Sequence, residues 1–227
     1  MNNHGAAFIR EDPWRILRIM GEFVECFELM SRLSPSVTVF GSARTPRNDP
    51  SYKLAVQLGK KLAAHKIPVI TGGGPGIMEA ANKGASLGAG TSVGLNIELP
   101  HEQKGNEFAN LPVHFHYFFS RKVCFAKYSF AFVFMPGGFG TLDELFEILT
   151  LVQTERIPKF PIILFGKRYW TGLLRWLETE LLERNRYIGP NDLKLITLTD
   201  DVDEAVATVL EYLKRVGPPE TVPMAFS

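Results

Sequence analysis

This chain of 227 residues has few cysteines, almost no net charge and no long apolar run. Its two cysteines, Cys26 and Cys124, each lie in an apolar stretch, which favours buried free thiols in a reducing compartment. A formal net charge of +1 argues against a nucleic-acid-binding surface. No apolar run approaches the roughly 18 residues that span a bilayer, and no signal peptide is apparent at the N-terminus. We therefore expect a cytoplasmic protein with neither nucleic acid nor membrane as a partner.

Short apolar segments alternate with segments of helical periodicity along most of the chain. The apolar segments predict strands at residues 37–40, 67–71, 92–97, 113–118, 129–135, 161–165 and 195–197. The segments between them predict helices at residues 51–65, 76–87, 120–127, 142–154, 170–185 and 202–216. This alternation is typical of an open parallel sheet with helices on both faces. We predict an α/β fold with a Rossmann-like, doubly wound parallel sheet.

An additional helix is predicted before the first strand. Apolar residues recur at spacings of three and four from Trp14 to Met30, and Pro13 suits the first turn of such a helix. We expect an N-terminal helix at about 13–33, a core at about 36–216 and a tail at 217–227. Because no linker or internal repeat interrupts the chain, we expect residues 1–227 to form a single domain.

Three of the predicted strands end in turns that contain glycine, at residues 41–44, 72–76 and 136–141. Glycine costs backbone entropy without adding contacts, so the consecutive glycines of the second and third turns favour ligand binding over packing. A glycine-rich turn that leads into a helix directs backbone N–H groups and the positive end of the helix dipole at an anion. Such turns meet at the carboxyl ends of parallel strands, where ligands bind.

Two common nucleotide-binding motifs fit these turns poorly. Neither turn carries the Gly-Lys-Ser/Thr of a Walker loop. Residues 72–76 supply the first two glycines of a dinucleotide fingerprint, but Ile77 stands at the third position. Glu98 could then imitate the ribose-binding acid, yet this interpretation leaves Glu144 and the third turn without a role, and we rank it low.

Charged residues accompany the third turn. Arg121 and Lys122 lie where a strand is predicted to become a helix, a position that the helix dipole makes unfavourable for cations unless they serve an anion or a carboxylate. Arg121 offers a bidentate fork for phosphate or for Glu144, whereas Lys122 offers a point charge. Glu144, one turn into the helix after the third turn, places a carboxylate beside the predicted anion site.

These motifs resemble those of the LONELY GUY (LOG) family of cytokinin riboside 5′-monophosphate phosphoribohydrolases, which were long labelled lysine decarboxylases. The pair Arg121-Lys122 precedes a complete PGGxGTxxE motif at residues 136–144, and residues 72–78 resemble the family's upstream GGGxxGxM, with one glycine inside the spacer. The resemblance runs from about Trp14 to Val206. The N-terminal helix and residues 95–103 resemble the family's type II branch, which tends to form higher oligomers than the dimeric branch.

The resemblance implies hydrolysis of the N-glycosidic bond of a nucleoside 5′-monophosphate, either AMP or an N6-modified cytokinin nucleotide, to a free base and ribose 5-phosphate. It assigns the catalytic roles to Arg121 and Glu144. The implied substrate-binding residues are Gly72, Gly73, Gly74, Gly76, Met78, Lys122, Pro136, Gly137, Gly138, Gly140 and Thr141. Family members often carry methionine after the Arg-Lys pair, where this chain has Cys124 and Phe125, so the base preference stays open.

The sequence offers three weaker site candidates and one alternative function. Ser42, Glu79 and Glu98 are additional candidates for the site. We expect no metal, because His114 and His116 have no third ligand at a recognisable spacing, and no organic cofactor. We expect a homo-oligomer, dimeric or higher. The alternative function is a non-catalytic nucleotide or cofactor carrier on the same fold, which would not require a catalytic arginine and glutamate.

Overall fold

The structure is a computed structural model that describes residues 4–98 and 105–217, with side chains from residue 13 onward. Within these residues, one sheet contains β1 (Ser36–Phe40), β2 (Val69–Thr71), β3 (Ser92–Ile97), β4 (Leu111–Phe115), β5 (Ser129–Phe134), β6 (Ile162–Phe165) and β7 (Ile196–Thr199). The α-helices are α1 (His4–Leu29), α2 (Pro50–Ala64), α3 (Ile77–Leu87), α4 (Phe118–Tyr128), α5 (Phe139–Gln153), α6 (Lys167–Trp176) and α7 (Val202–Val216). A π-helical segment, Leu177–Arg184, continues α6, and a 3₁₀ turn, Leu193–Leu195, precedes β7.

The strand order of the sheet fixes where a ligand can bind. The strands are parallel and lie in the order β4-β3-β2-β1-β5-β6-β7. The chain builds one half of the sheet outward from β1, then returns to place β5 beside β1 and builds the other half. In open α/β sheets this reversal leaves a crevice at the carboxyl ends of the two central strands. The Rossmann-like, doubly wound parallel sheet is therefore confirmed, and its switch point lies between β1 and β5.

The central strands are buried on both faces. Every residue of β1, β5 and β6 is buried, which explains their nearly continuous apolar sequences. At the carboxyl ends of β5 and β6, the indole Nε1–H of Trp170 lies 3.1 Å from both the Phe134 and the Phe165 carbonyl oxygens. This shared donor holds the two strand ends together where the third glycine-rich turn begins.

The N-terminal helix differs from its predicted bounds. α1 runs from His4 to Leu29 rather than over 13–33, and Pro13 lies inside it rather than in its first turn. An internal proline removes one backbone hydrogen bond but already has a helical φ, so the helix can continue through it. The chain then turns at residues 30–32 instead of extending the helix to 33.

α1 packs against β4 and α4. Its Glu22 carboxylate accepts a 2.7 Å hydrogen bond from the His116 backbone N–H and another from the Ser120 hydroxyl, beside the first turn of α4. One turn further along α1, the Cys26 Sγ lies 2.8 Å from the Cys124 Sγ of α4. Both cysteines are buried free thiols, as the sequence predicted.

Several other element ends also differ from the sequence prediction. β4 ends at Phe115 and α4 begins at Phe118, so residues predicted as the end of a strand form a turn and the start of a helix. Arg121 consequently lies in the first turn of α4. Most of the predicted tail, residues 218–227, and part of the 95–103 stretch lie outside the described residues. Among the described residues, no helix is both long enough and apolar enough to cross a membrane.

Candidate functional site

The three predicted glycine turns meet at the switch point of the sheet. The Ser42 N–H donates to the Pro136 carbonyl at 3.0 Å, which joins the turn after β1 to the turn after β5. The Ser42 carbonyl accepts from the Ile77 N–H at 3.0 Å, which joins the first turn to the start of α3. Ser42, a weaker candidate from the sequence, is therefore the backbone link between all three turns.

Glycines in the second turn are required by conformation and by close contacts. Gly73 and Gly76 have positive φ values of 72° and 68°, a region that other residues adopt with strain. A Cβ at Gly76 would also approach the Ala43 carbonyl carbon to 2.8 Å. A Cβ at Gly72 would lie 2.8 Å from the Met78 Sδ and would collide with the Arg121 guanidinium. These glycines shape the turn and make room for Arg121.

Two glycines of the third turn have no such structural reason. A Cβ at Gly138 or Gly140 would meet nothing within 4 Å among the described residues, and neither glycine has a positive φ. Their missing side chains leave open space at the N-terminus of α5, whose N-cap residue, Gly138, makes no side-chain capping bond. Unfilled space beside uncapped backbone N–H groups is the arrangement that a bound anion requires.

A cavity of about 710 Å³ lies against this helix start. It is lined by Phe40, Gly41, Ser42, Ala43, Arg44, Met78, Phe118, Arg121, Tyr169 and residues 137–144. A smaller cavity of about 200 Å³ shares Met78, Phe118 and Arg121 with it and extends along residues 72–74. The site therefore has an uncapped helix N-terminus on one side and the second glycine turn on the other, with Arg121 between them.

Arg121 projects from the first turn of α4 into this space. Its Nε is buried and has no hydrogen-bond partner among the described residues, and its Nη2 reaches the Gly72 carbonyl only at 3.4 Å. The guanidinium carbon lies 5.2 Å from the centre of the Phe125 ring. Burial lowers the pKa of Arg121 to about 10, and the charge of Glu144 opposes that shift. Arg121 is thus a charged donor with unused hydrogen-bonding capacity at the cavity.

Glu144 lies in the second turn of α5, and only 12% of its side chain is exposed. Burial raises the pKa of Glu144 to about 7; Glu147 and Asp143 add to the rise, while Lys122 and Arg121 oppose it. A carboxyl group with a pKa near neutrality can both accept and return a proton at physiological pH.

Lys122 lies beside the cavity but does not line it. Its Nζ is 2.8 Å from Asp143 Oδ2 and 4.0 Å from Glu144 Oε1, and it also contacts the Glu147 carboxylate. Burial favours the neutral form, but the hydrogen bonds to Asp143 and Glu147 prevail and raise the pKa of Lys122. Its observed partners are carboxylates of α5, and substrate binding by Lys122 stays a prediction.

The remaining weaker candidates lie outside the lining of both cavities. Burial acts to raise the pKa of Glu79, but its hydrogen bonds to Arg47 (2.8 Å) and Tyr52 (2.6 Å) prevail and lower it. Glu98 is exposed and lies 3.2 Å from the Nδ1 of His116. No group of three or more His, Cys, Asp or Glu side chains suited to a metal ion occurs in the described part of the chain.

Tyr169 and Arg44 are cavity residues that were not among the sequence candidates. The Tyr169 hydroxyl, on α6, donates to the Gly137 carbonyl and supports the third turn from outside its own helix. Nothing in the sequence indicates this contact, because it joins residues that are 32 positions apart in different elements. Arg44 lines the cavity from the first turn, and its cationic side chain two residues after Ser42 was a usable signal.

Comparisons with known proteins identify the family of this chain. A protein-family profile described as "Possible lysine decarboxylase" matches residues 78–209. A cytokinin riboside 5′-monophosphate phosphoribohydrolase of Arabidopsis thaliana is 30% identical over 176 residues, covering 74% of this chain and 79% of the relative. One of the same name from Rhodococcoides fascians is 30% identical over 179 residues, covering 77% of this chain and 88% of the relative.

A solved structure also resembles the chain. The molybdenum cofactor carrier protein of Chlamydomonas reinhardtii has a TM-score of 0.59 and 26% sequence identity, covering 80% of this chain and 99% of the carrier. The profile spans more than half of the chain, and the two phosphoribohydrolases align over most of their own length. The chain therefore belongs to the LONELY GUY (LOG) family.

Proposed function

We propose that this protein hydrolyses the N-glycosidic bond of nucleoside 5′-monophosphates to a free base and ribose 5-phosphate. The observation that carries the proposal is that Glu144, a mostly buried carboxyl group with a pKa of about 7, lines the same cavity as the uncapped N-terminus of α5. One end of the cavity suits a phosphate, and the other supplies an acid–base group. The names of the two plant and bacterial relatives support the same activity.

The phosphate would bind where Gly138 and Gly140 leave open space. Backbone N–H groups at the start of α5 and the Thr141 hydroxyl would surround it, with the helix dipole favouring its negative charge. Binding energy from this remote group would then fix the ribose C1′ relative to Glu144.

Glu144 and Arg121 would act on the glycosidic bond itself. A water attacks C1′ and gives a proton to the Glu144 carboxylate, while the bond between C1′ and the base nitrogen breaks with its electron pair going to the base. Glu144 then returns the proton to the base, which leaves neutral, and the carboxylate is restored. The carboxylate also stabilises the positive charge that develops on the ribose in the transition state. Arg121, whose Nε is unpartnered, would stabilise the charge on the departing base.

The structure gives no support to the lysine decarboxylase description. Decarboxylation with pyridoxal phosphate needs a lysine free to form a Schiff base. The lysine next to this cavity, Lys122, is held by the Asp143 and Glu147 carboxylates and carries a raised pKa, which keeps it protonated.

The base preference is the finer part of this proposal. Cys124 and Phe125 are both buried, and neither lines the two cavities; Phe125 lies beneath the Arg121 guanidinium. We propose that these residues act on the base only through Arg121. AMP and N6-modified nucleotides are then both substrates to test, and their relative kcat/KM values decide between them.

A carrier function is the second candidate, since a molybdenum cofactor carrier shares the fold at 26% identity. Incubation with AMP and chromatography for adenine separates the two. We expect free adenine to accumulate over many turnovers, whereas a carrier would bind a ligand and release it unchanged. Adenosine, which lacks the phosphate, is the control and should react at least about a hundredfold more slowly, because it forfeits the binding energy of the helix terminus.

Assembly, location and domain organisation are also proposals. We propose a cytoplasmic, single-domain protein that forms a homo-oligomer of two or more chains. Apolar side chains on α1 and at the starts of α4 and α5 are exposed, and they could form an interface: Trp14, Ile16, Leu17, Met20, Val24, Phe118, Phe119 and Phe139. Light scattering on the purified protein would give the number of chains.

A further inference from the structure

We propose that Lys122 is a positioning residue for Glu144, acting from behind the cavity wall through an ammonium group that three carboxylates of α5 share. This inference rests on the proposed function, because Glu144 is the residue it serves. It assigns Lys122 a different role from the substrate-binding role that the sequence suggested.

Lys122 lies beside Glu144 but outside the lining of the main cavity. Lys122 lines a separate depression of about 360 Å³ together with Asp143, Phe146, Glu147, Thr150 and Leu151. Its side chain is only 17% exposed, so the ammonium group is fixed among the carboxylates rather than free in solvent. A phosphate in the main cavity would have to compete with two ion pairs to reach it.

The carboxylates are not equal partners of Lys122. Asp143 and Glu147 contact the ammonium group directly, whereas Glu144 stays 4.0 Å away. Among the described residues, the Glu144 carboxylate has no side-chain hydrogen-bond partner, so its oxygens are available for a water or a ribose hydroxyl. Lys122 can therefore favour the charged form of Glu144 without occupying the atoms that the chemistry needs.

Four charged groups face Glu144. Arg121 and Lys122 come from α4, and Asp143 and Glu147 come from α5. Of the two cations, Lys122 has the larger effect on the pKa of Glu144, and of the two anions Glu147 has the larger effect. Removing Lys122 should thus make Glu144 harder to ionise, and removing the charge of Glu147 should make it easier.

The test is a comparison of two variants whose effects have opposite signs. The pH dependence of kcat/KM for AMP is measured for the wild type, Lys122→Met and Glu147→Gln. The acid limb of this profile is the rise in kcat/KM with pH as Glu144 ionises. We expect Lys122→Met to move the acid limb to higher pH by roughly one unit and Glu147→Gln to move it to lower pH by a smaller amount. Lys122→Arg keeps the charge and should restore the wild-type limb, and Lys127→Met, on the same helix but away from α5, is the control that should not move it.

A purely structural role could not produce shifts of opposite sign. The inference is overturned if both variants move the limb in the same direction. It is also overturned if Lys122→Met leaves the limb in place and raises KM for AMP about tenfold or more, since Lys122 would then bind the phosphate.

A second readout does not depend on turnover. Infrared difference spectra against Glu144→Gln follow the ionisation of the Glu144 carboxyl directly, and they should show the same opposite shifts. If no nucleotide is hydrolysed, the proposed function fails while this titration still decides the role of Lys122. Unchanged titration of Glu144 in both variants would contradict the inference.

Discussion

Glu144 lowers the stability of the folded protein in the pH range where its proposed chemistry operates. Burial raises the pKa of this carboxyl group from its ordinary value to about 7, so folding favours its protonated form. The stabilising effect of protonation is fully present below the pKa of the unfolded chain and is lost as the pH rises through about 7. Above that pH, the buried charge costs roughly 3 kcal/mol.

Replacing Glu144 with glutamine should therefore stabilise the protein at high pH. We expect Glu144→Gln to match the wild type in free energy of unfolding near about pH 4 and to exceed it by roughly 3 kcal/mol above about pH 8. Urea denaturation at several pH values measures the difference. Glu155→Gln, a change at an exposed glutamate, is the control. A gap between Glu144→Gln and wild type that does not grow with pH would contradict the burial of this charge.

Gly138 should matter for binding but not for folding. Its φ of −93° suits alanine, and a Cβ there meets nothing within 4 Å among the described residues, so Gly138→Ala should change the free energy of unfolding by less than about 1 kcal/mol. The methyl group would fill the space that we assign to phosphate, and we expect Kd for AMP to rise at least about tenfold. Calorimetric titration measures the loss when both proteins also carry Glu144→Gln, which leaves the bound AMP intact.

Gly76→Ala provides the matched contrast. Its positive φ and its closeness to the backbone of the first turn predict a clear loss of stability in this variant. If Gly138→Ala bound AMP as tightly as the wild type, the phosphate would have to bind elsewhere.

Some residues of the site were predictable from the sequence and others were not. Gly138 and Glu144 belong to a local motif, because the third glycine-rich turn runs directly into the first residues of α5. Tyr169 reaches Gly137 from another element, and no local pattern encodes such a contact. The sequence predicted Lys122 as a substrate-binding residue, but which of its neighbours it would contact depended on the packing of α4 against α5.

At the scale of single elements, α4 depends on α1. The side chain of Tyr117, the N-cap residue of α4, makes no capping hydrogen bond. The Glu22 carboxylate of α1 instead accepts hydrogen bonds from the Ser120 hydroxyl and the His116 backbone N–H. Because Arg121 lies in this first turn, Glu22 contributes to holding the arginine in the cavity.

Truncation of this carboxylate should loosen α4. We expect Glu22→Ala to lower the free energy of unfolding by roughly 1–3 kcal/mol, since it leaves the His116 N–H without its acceptor and the Ser120 hydroxyl with the Tyr117 carbonyl alone. It should also lower kcat for AMP, because the position of Arg121 becomes less well defined. Denaturation and steady-state kinetics measure the two effects. Glu25→Ala, at an exposed position of the same helix, should change neither, and equal effects of the two variants would contradict a specific role for Glu22.

The existence of the elements was easier to predict than their ends. Short apolar runs identified all seven strands of the described sheet. They were most distinctive in β1, β5 and β6, which are buried on both faces. The aromatic run at residues 115–119 fits the end of a strand or the start of a helix equally well, and the boundary between β4 and α4 was therefore misplaced. Pro13 was interpreted as a helix start because proline is favoured in the first turn of helices, whereas α1 begins at His4.

At the scale of the whole molecule, the strand order creates the site. β1 and β5 are separated by 88 residues between Phe40 and Ser129, yet they lie side by side and bring the first and third turns together. The alternation of strands and helices predicted the fold class, but it could not predict the order of the strands in the sheet. Resemblance to a family supplied what local patterns could not, namely that Arg121 and Glu144 face one cavity.

The central claim is that this cavity breaks a glycosidic bond rather than storing a nucleotide. The most direct measurement is a single-turnover experiment with AMP held below the protein concentration, quenched over time and analysed for intact nucleotide, adenine and ribose 5-phosphate. We predict complete conversion to equal amounts of adenine and ribose 5-phosphate by the wild type, while Glu144→Gln retains the nucleotide bound and intact. Recovery of intact, bound AMP from the wild type would contradict the account.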